Sequence, residues 1–202
     1  MQITSPIVMS ILLCRGAFCQ TSPGPKVPAE VAALQGVYTG SWASYGVDAN
    51  GKVLKRASWT DTMKAGDATV EGGRAFVTTI DEMVFDGGRP PAMKIKGEEG
   101  YVLNRDGTLG EYFIKTFGQE YRMRKMDGNV WTYAASASPQ ELAQSGFSNV
   151  RSGQHVVVKV VNQEDGKETH RITRVTTVNW TDTGGKSRWL QFVSLEGVHR
   201  RQ

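Results

Sequence analysis

Cysteine is nearly missing from this chain of 202 residues; the two present, Cys14 and Cys19, both stand close to the start. Neither a disulfide framework nor a thiolate metal centre is therefore expected in the folded part. Histidine is scarce as well. His155, His170 and His199 stand apart and offer neither an i, i+4 helical pair nor a His-x-His strand pair, so no metal site is expected and each reads as a surface or hydrogen-bonded residue. There is no Gly-x-Ser-x-Gly elbow, phosphate loop or dinucleotide fingerprint, which removes the usual support for nucleophilic hydrolysis and nucleotide chemistry. No catalytic residue and no cofactor is assigned on this basis.

Long hydrophobic runs are lacking too. Residues 7–13 read Ile-Val-Met-Ser-Ile-Leu-Leu, far short of the roughly 18–20 residues of a membrane span but the right length for the core of a signal peptide. Ala17 stands third before a cut after Cys19, and Gln20-Thr21-Ser22-Pro23-Gly24-Pro25 forms an extended polar stretch that leaves such a site accessible. The expected organisation is a signal peptide over residues 1–19, a linker over 20–27 and a single domain over 28–202. An exported protein, periplasmic or extracellular, with no transmembrane span in the mature chain follows. Leu13 and Phe18 precede the two cysteines where a lipoprotein site wants a small residue, so lipidation is not expected.

No strong charge of one sign is present: 24 Lys+Arg face 20 Asp+Glu, for a net +4. The basic residues are spread along the chain, with only short runs at Arg122, Arg124, Lys125 and at His199, Arg200, Arg201. A nucleic-acid partner would call for one gathered face or arm, and none is expected.

Glycine, by contrast, is plentiful at 23 residues against seven prolines. Asp-Gly, Gly-Gly and similar pairs recur at Glu71-Gly72-Gly73, Asp86-Gly87-Gly88, Arg105-Asp106-Gly107, Asp127-Gly128-Asn129, Glu164-Asp165-Gly166 and Thr183-Gly184-Gly185, between stretches rich in Val, Thr and aromatics. This pattern predicts about ten strands, near 37–47, 52–65, 74–85, 92–103, 108–117, 119–126, 130–136, 155–163, 167–181 and 187–199. Short connections make sequential strands antiparallel neighbours, and a ten-strand meander hides its edges most completely by closing into a barrel. One short helix is expected at 28–34, stopped by Gly36, and a helical excursion after the cap Ser138, which reads either as a lid over a barrel mouth or as a surface excursion. Mixed polarity on both faces of 76–85 and 168–180 favours a barrel interior wide enough for water or a ligand.

Gly40-Ser41-Trp42, on the first strand after the short helix and preceded by Leu34-Gln35-Gly36, resembles the start of a lipocalin-type barrel. The hairpin meander over about residues 28–200 is similar to the calycin superfamily, including small exported bacterial lipocalin-like domains without an assigned activity. The resemblance implies an all-β antiparallel barrel, a helix closing one end, a Trp packed across the floor and an apolar ligand in the lumen. The chain continues in strand almost to residue 199, which is closer to the ten-strand fatty-acid-binding-protein plan, but that plan's late Arg-x-Tyr pair is replaced by Arg188-Trp189-Leu190 and His199-Arg200-Arg201.

Candidate ligand-binding residues are the strand aromatics Trp42, Trp59, Tyr112, Tyr133 and Trp180, which present an apolar body with a polar tip, and Arg122 and Arg174, which can neutralise an anionic head group. Asp61, Asp81, Glu82 and Glu111 also fall in predicted strands, where an inward acid would gain a raised pKa; the sequence does not choose among them. The expected function is a carrier or sequestering protein for a small apolar or amphipathic molecule. Its alternatives are an envelope-associated interaction or structural domain with a filled barrel, and a cofactor-independent isomerase or cyclase on the same fold.

Overall fold

Turn pairs that supply positive φ, separated by β-branched and aromatic stretches, produce an unbroken series of hairpins. The computed structural model describes residues 26–202 apart from 49, 50, 145, 148 and 183, so the expected signal segment and most of the linker lie outside the described residues. Ten strands follow one another: β1 Gly36–Val47, β2 Val53–Glu71, β3 Arg74–Phe85, β4 Met93–Leu103, β5 Leu109–Thr116, β6 Gln119–Asp127, β7 Val130–Ser136, β8 Val150–Glu164, β9 Lys167–Thr181 and β10 Ser187–Arg201. Each pairs antiparallel with its sequence neighbours, and β1 pairs with β10 from Tyr38↔Arg201 to Ser44↔Leu195, which closes the barrel.

Two strands are longer than their sequence patterns indicate. β2 passes Gly66-Asp67 through a register shift between Ala65 and Ala68 and continues to Glu71. β8 begins at Val150 and includes Gly153, read from sequence as part of the connection, where Leu142 packs so closely that a Cβ would overlap its side chain.

Helix α1, Ala29–Ala32, starts behind Pro28, whose extended backbone sets up the first turn. Its Val31 is fully buried among Ala65, Ala75 and Val77, with Leu34, Val70, Tyr101 and Leu103 around them, so α1 stoppers one end of the barrel. At the other end, helix α2, Pro139–Gln144, is capped by Ser138, whose hydroxyl oxygen accepts the Glu141 N–H at 3.1 Å. The segment is no free surface excursion. Leu142 and Phe147 are buried with Val47, Ala137, Val178 and Phe192, each large side chain contributing roughly 1.5–3 kcal/mol.

Side-chain alternation sets what faces inward. On β3 the burial pattern turns Val77, Thr79, Asp81 and Met83 toward the lumen and leaves Glu82 and Val84 outside. The exterior carries cross-strand ion pairs, including Lys94 with Glu82 (2.9 Å) and Glu164 with both Arg171 (3.1 Å) and Arg200 (3.2 Å).

Two glycines permit the closing seam. A Cβ on Gly40 would overlap the His199 ring and come 2.6 Å from Asp61 Oδ1, and one on Gly197 would lie inside the Trp42 indole. Replacing Gly197→Ala is expected to destabilise the protein by about 1–3 kcal/mol through overpacking, read as a lowered urea midpoint; an unchanged midpoint contradicts the close packing of this seam.

Candidate functional site

Between the α1 stopper and the α2 end the barrel encloses a cavity of about 1010 Å³. Its mouth is rimmed by the β5–β6 turn, Thr116-Phe117-Gly118-Gln119, and by Ser138, Gln140 and Glu141 of the α2 segment. Pairing of β4 with β5 begins only at Glu98↔Lys115 and the β5–β6 hairpin holds four residue pairs, so the wall is lowest here.

Three polar groups stand in this lumen. The first spans β1, β2 and β10: the Trp42 indole N–H and His199 Nε2–H both donate to Asp61 Oδ2, each at 2.8 Å. Asp81 lies diagonally across from Asp61, since Asp61 pairs with Met83 and Met63 with Asp81. Burial, together with the neighbouring Asp61 carboxylate, pushes Asp81 up to about 7. Asp61 Oδ1 and Asp81 Oδ1 are both buried, and among the described residues no donor from a third residue reaches either, so the proton on Asp81 bridges the two.

The second group is a buried ion pair between Lys159 Nζ on β8 and Glu99 Oε1 on β4 (3.2 Å), with the Tyr112 hydroxyl also donating to Glu99. Burial alone would raise the Glu99 carboxyl, but Lys159 and the Tyr112 hydrogen bond hold it below its usual value. His170 donates to Glu168 at 2.7 Å; burial and the nearby Lys159 charge push it down to about 4. Tyr133, fully buried, has no hydroxyl partner among the described residues, and burial raises its pKa.

The third group lies under α2. Glu141 accepts from His155 Nε2 (2.9 Å) and from Gln119, and stands 3.6 Å from Arg174. Burial would raise its carboxyl, but His155 and Arg174 hold it low. Arg174 also donates to Ser194 Oγ (2.9 Å) and the Tyr121 hydroxyl (3.3 Å).

Of the residues singled out from sequence, Trp42, Trp59, Tyr133 and Arg174 line the cavity. Trp42 does not lie across the floor, which α1 and Val31 occupy. Gly197 leaves room for its indole against β10, where it stacks near-parallel to Trp59 (6.4 Å, 12°) and meets the His199 ring edge-on (4.8 Å). Tyr112 does not line the cavity; it is buried edge-on to Tyr101, 5.9 Å from the Tyr133 ring, and donates its hydroxyl to Glu99. Trp180 packs on Phe147 in the apolar cluster under α2 rather than on the cavity. Arg122 points outward: it pairs with Glu111 (3.1 Å) and Glu120 and lies over the Phe113 ring.

Sequence reading passed over Glu99, Lys159, Glu141 and the role of the histidines. Each histidine is buried against a carboxylate on another turn or strand, or two residues along its own. The available signal was shared parity, His170 with Arg174 on β9 and His155 with Lys159 on β8, which places charged residues on a face with buried neighbours.

Comparison with protein-family models, curated proteins and solved structures finds no match. The fold defines the class: a closed ten-stranded antiparallel barrel with a large, partly polar lumen.

Asp81 keeps its proton in the folded state up to about pH 7 but loses it near 3.8 when unfolded, so the stability it contributes is full below about 3.8 and lost as pH rises through 7. His170 acts oppositely, with its contribution present above 6.5 and lost as pH falls toward 4. Asp81→Asn, whose amide can donate to Asp61, is expected to raise the urea midpoint relative to the unchanged protein at about pH 8; an equal or lower midpoint there contradicts the buried acid. Lys159→Met strands the Glu99 charge and is expected to cost about 3–5 kcal/mol, most of it recovered in the double variant with Glu99→Gln. Denaturation of the two proteins checks this, and an equal loss in both counts against the ion pair.

Proposed function

We propose that this protein is an exported carrier or sequestering protein that takes a small apolar or amphipathic molecule into its barrel. The observation that carries the reading is the cavity of about 1010 Å³, which lies at the upper end of the roughly 300–1,000 Å³ usual for small-molecule sites. A domain whose barrel is filled for structural or interaction purposes has no use for such a volume.

Polarity within the lumen is divided. Trp42, Trp59, Met63, Met83 and Phe85 form a largely apolar wall on β1–β3 that is interrupted by Asp61 and Asp81, while Lys159, Arg174 and Tyr133 stand on β7–β9. That division suits a ligand with an apolar body and a polar end, burial of the body supplying about 25 cal/mol per Å². The closed meander stoppered by a helix supports the lipocalin-like resemblance, and the ion pairs on the outer face support a barrel that stands in water rather than in lipid. Export rests on the signal-like segment at residues 1–19.

The test is gentle purification from the native host, solvent extraction and mass spectrometry. A stoichiometric small molecule is expected, on a chain that begins at Gln20. An empty protein that also fails to bind a panel of lipophilic fluorescent dyes overturns the carrier reading.

A further inference from the structure

We propose that the lumen selects an organic ammonium ion, held by the Asp61–Asp81 carboxyl pair against the Trp42–Trp59 indoles. This deepens the carrier reading above and rests on it.

The charges of the lumen point to the sign of the ligand. Lys159 is met by Glu99 at 3.2 Å, and Arg174 stands 3.6 Å from Glu141 while donating to Ser194 and Tyr121. These two pairs cancel; of the other lining cations, Lys115 is met by Glu98 at 3.5 Å and Arg56 donates to the Val47 carbonyl, so an anionic head group would compete with existing contacts. Asp61 and Asp81 are different. They stand together on β2 and β3, and the basic group facing them is His199 on β10; Ile95 and Gly97, paired with Asp81 and Thr79 on β4, bring no charge.

Asp61 is 5% exposed and lines the cavity, yet among the described residues its Oδ1 and Asp81 Oδ1 have no donor except a proton shared between the two carboxyls. Two buried acceptor atoms side by side are an unsatisfied arrangement that either one shared proton or one incoming N–H donor relieves. An ammonium group brings several donors and a positive charge, and so satisfies both atoms.

Aromatic rings border the same spot. Trp42 is hydrogen-bonded to Asp61 directly, Trp59 is two residues from Asp61 on the same face of β2, and the Phe85 ring lies 5.4 Å from Trp59. Indole faces attract a cation and at the same time bury the apolar carbons attached to it, and the effect strengthens where water is excluded. A carboxyl pair beside stacked indoles therefore recognises both halves of an aryl- or alkylamine: the charged nitrogen and its apolar chain.

The proton balance follows. Below about pH 7 Asp81 holds its proton; when R–NH₃⁺ enters, that proton leaves to the buffer, so that one positive charge replaces another in the lumen.

The test uses three probes of matched size, phenethylamine, phenethyl alcohol and hydrocinnamate, titrated calorimetrically into the full mature protein at about pH 6.5 in two buffers of different ionisation enthalpy. The amine is expected to bind at least ~10-fold more tightly than the alcohol or the acid, with release of a proton shown by the buffer-dependent enthalpy. Asp81→Asn, which is expected to fold well, should weaken the amine ~10-fold while leaving the alcohol unchanged. If the alcohol or the acid binds as well as the amine, or Asp81→Asn weakens all three alike, the ammonium proposal is overturned and the carrier reading stands. Binding of no probe, together with an extract empty of small molecules, overturns both.

Discussion

A carboxylate taken out of water must either meet donors or give up its charge, and this constraint organises the interior of the barrel. Asp61, Glu99 and Glu141 are each answered by side chains from other strands: Trp42 and His199, Lys159 and Tyr112, His155 and Arg174. Each acid thereby becomes a tie across the lumen. The Asp61 tie spans the seam where β1 meets β10, and the Glu141 tie holds α2 and the start of β6 to β8 and β9. Apolar packing alone, concentrated at the α1 and α2 ends, would leave the middle of the barrel without such cross-links.

Keeping the middle open has a cost. A filled barrel would gain dispersion and apolar burial throughout; here large side chains are gathered at the ends and in the tyrosine cluster of Tyr112, Tyr121 and Tyr133. Between them remain the Tyr133 hydroxyl, with no partner among the described residues, and Asp61 Oδ1 and Asp81 Oδ1, which have no donor there beyond a proton shared between them. Such atoms weaken a core, and their gathering around one cavity is the pattern of a surface shaped for contact with something other than the protein itself.

The hairpin architecture was legible because turn chemistry is local: Asp-Gly and Gly-Gly pairs mark the reversals whatever lies across the sheet. Shared faces were legible too, as with His170 to Trp180 on β9. Which face turns inward was not, since that depends on partners distant in sequence, and register shifts such as Ser44/Tyr45, Met123/Lys125 and Val193/Leu195 change parity partway along a strand. Arg122 was singled out by its charge, yet Tyr121 beside it takes the inward place. Glu99 and Lys159 went unnoticed for the converse reason, because a charged residue in a strand reads as solvent-facing until its partner from another strand is known. Trp180 belongs to a cluster created by α2, whose docking no periodicity records.

Ring closure also has a temporal side. Tyr38 pairs with Arg201 and Gly40 with His199, so the contacts that seal the cylinder join residues separated by almost the whole domain. Hairpins from β2 to β9 can form as local units, but the Trp42–Asp61–His199 link has no third member until β10 is available. Until then β1 presents an unpaired edge and the lumen has no inside. Closure of the vessel therefore waits for the last strand, and until β10 is in place the β1 edge stays open to mispairing.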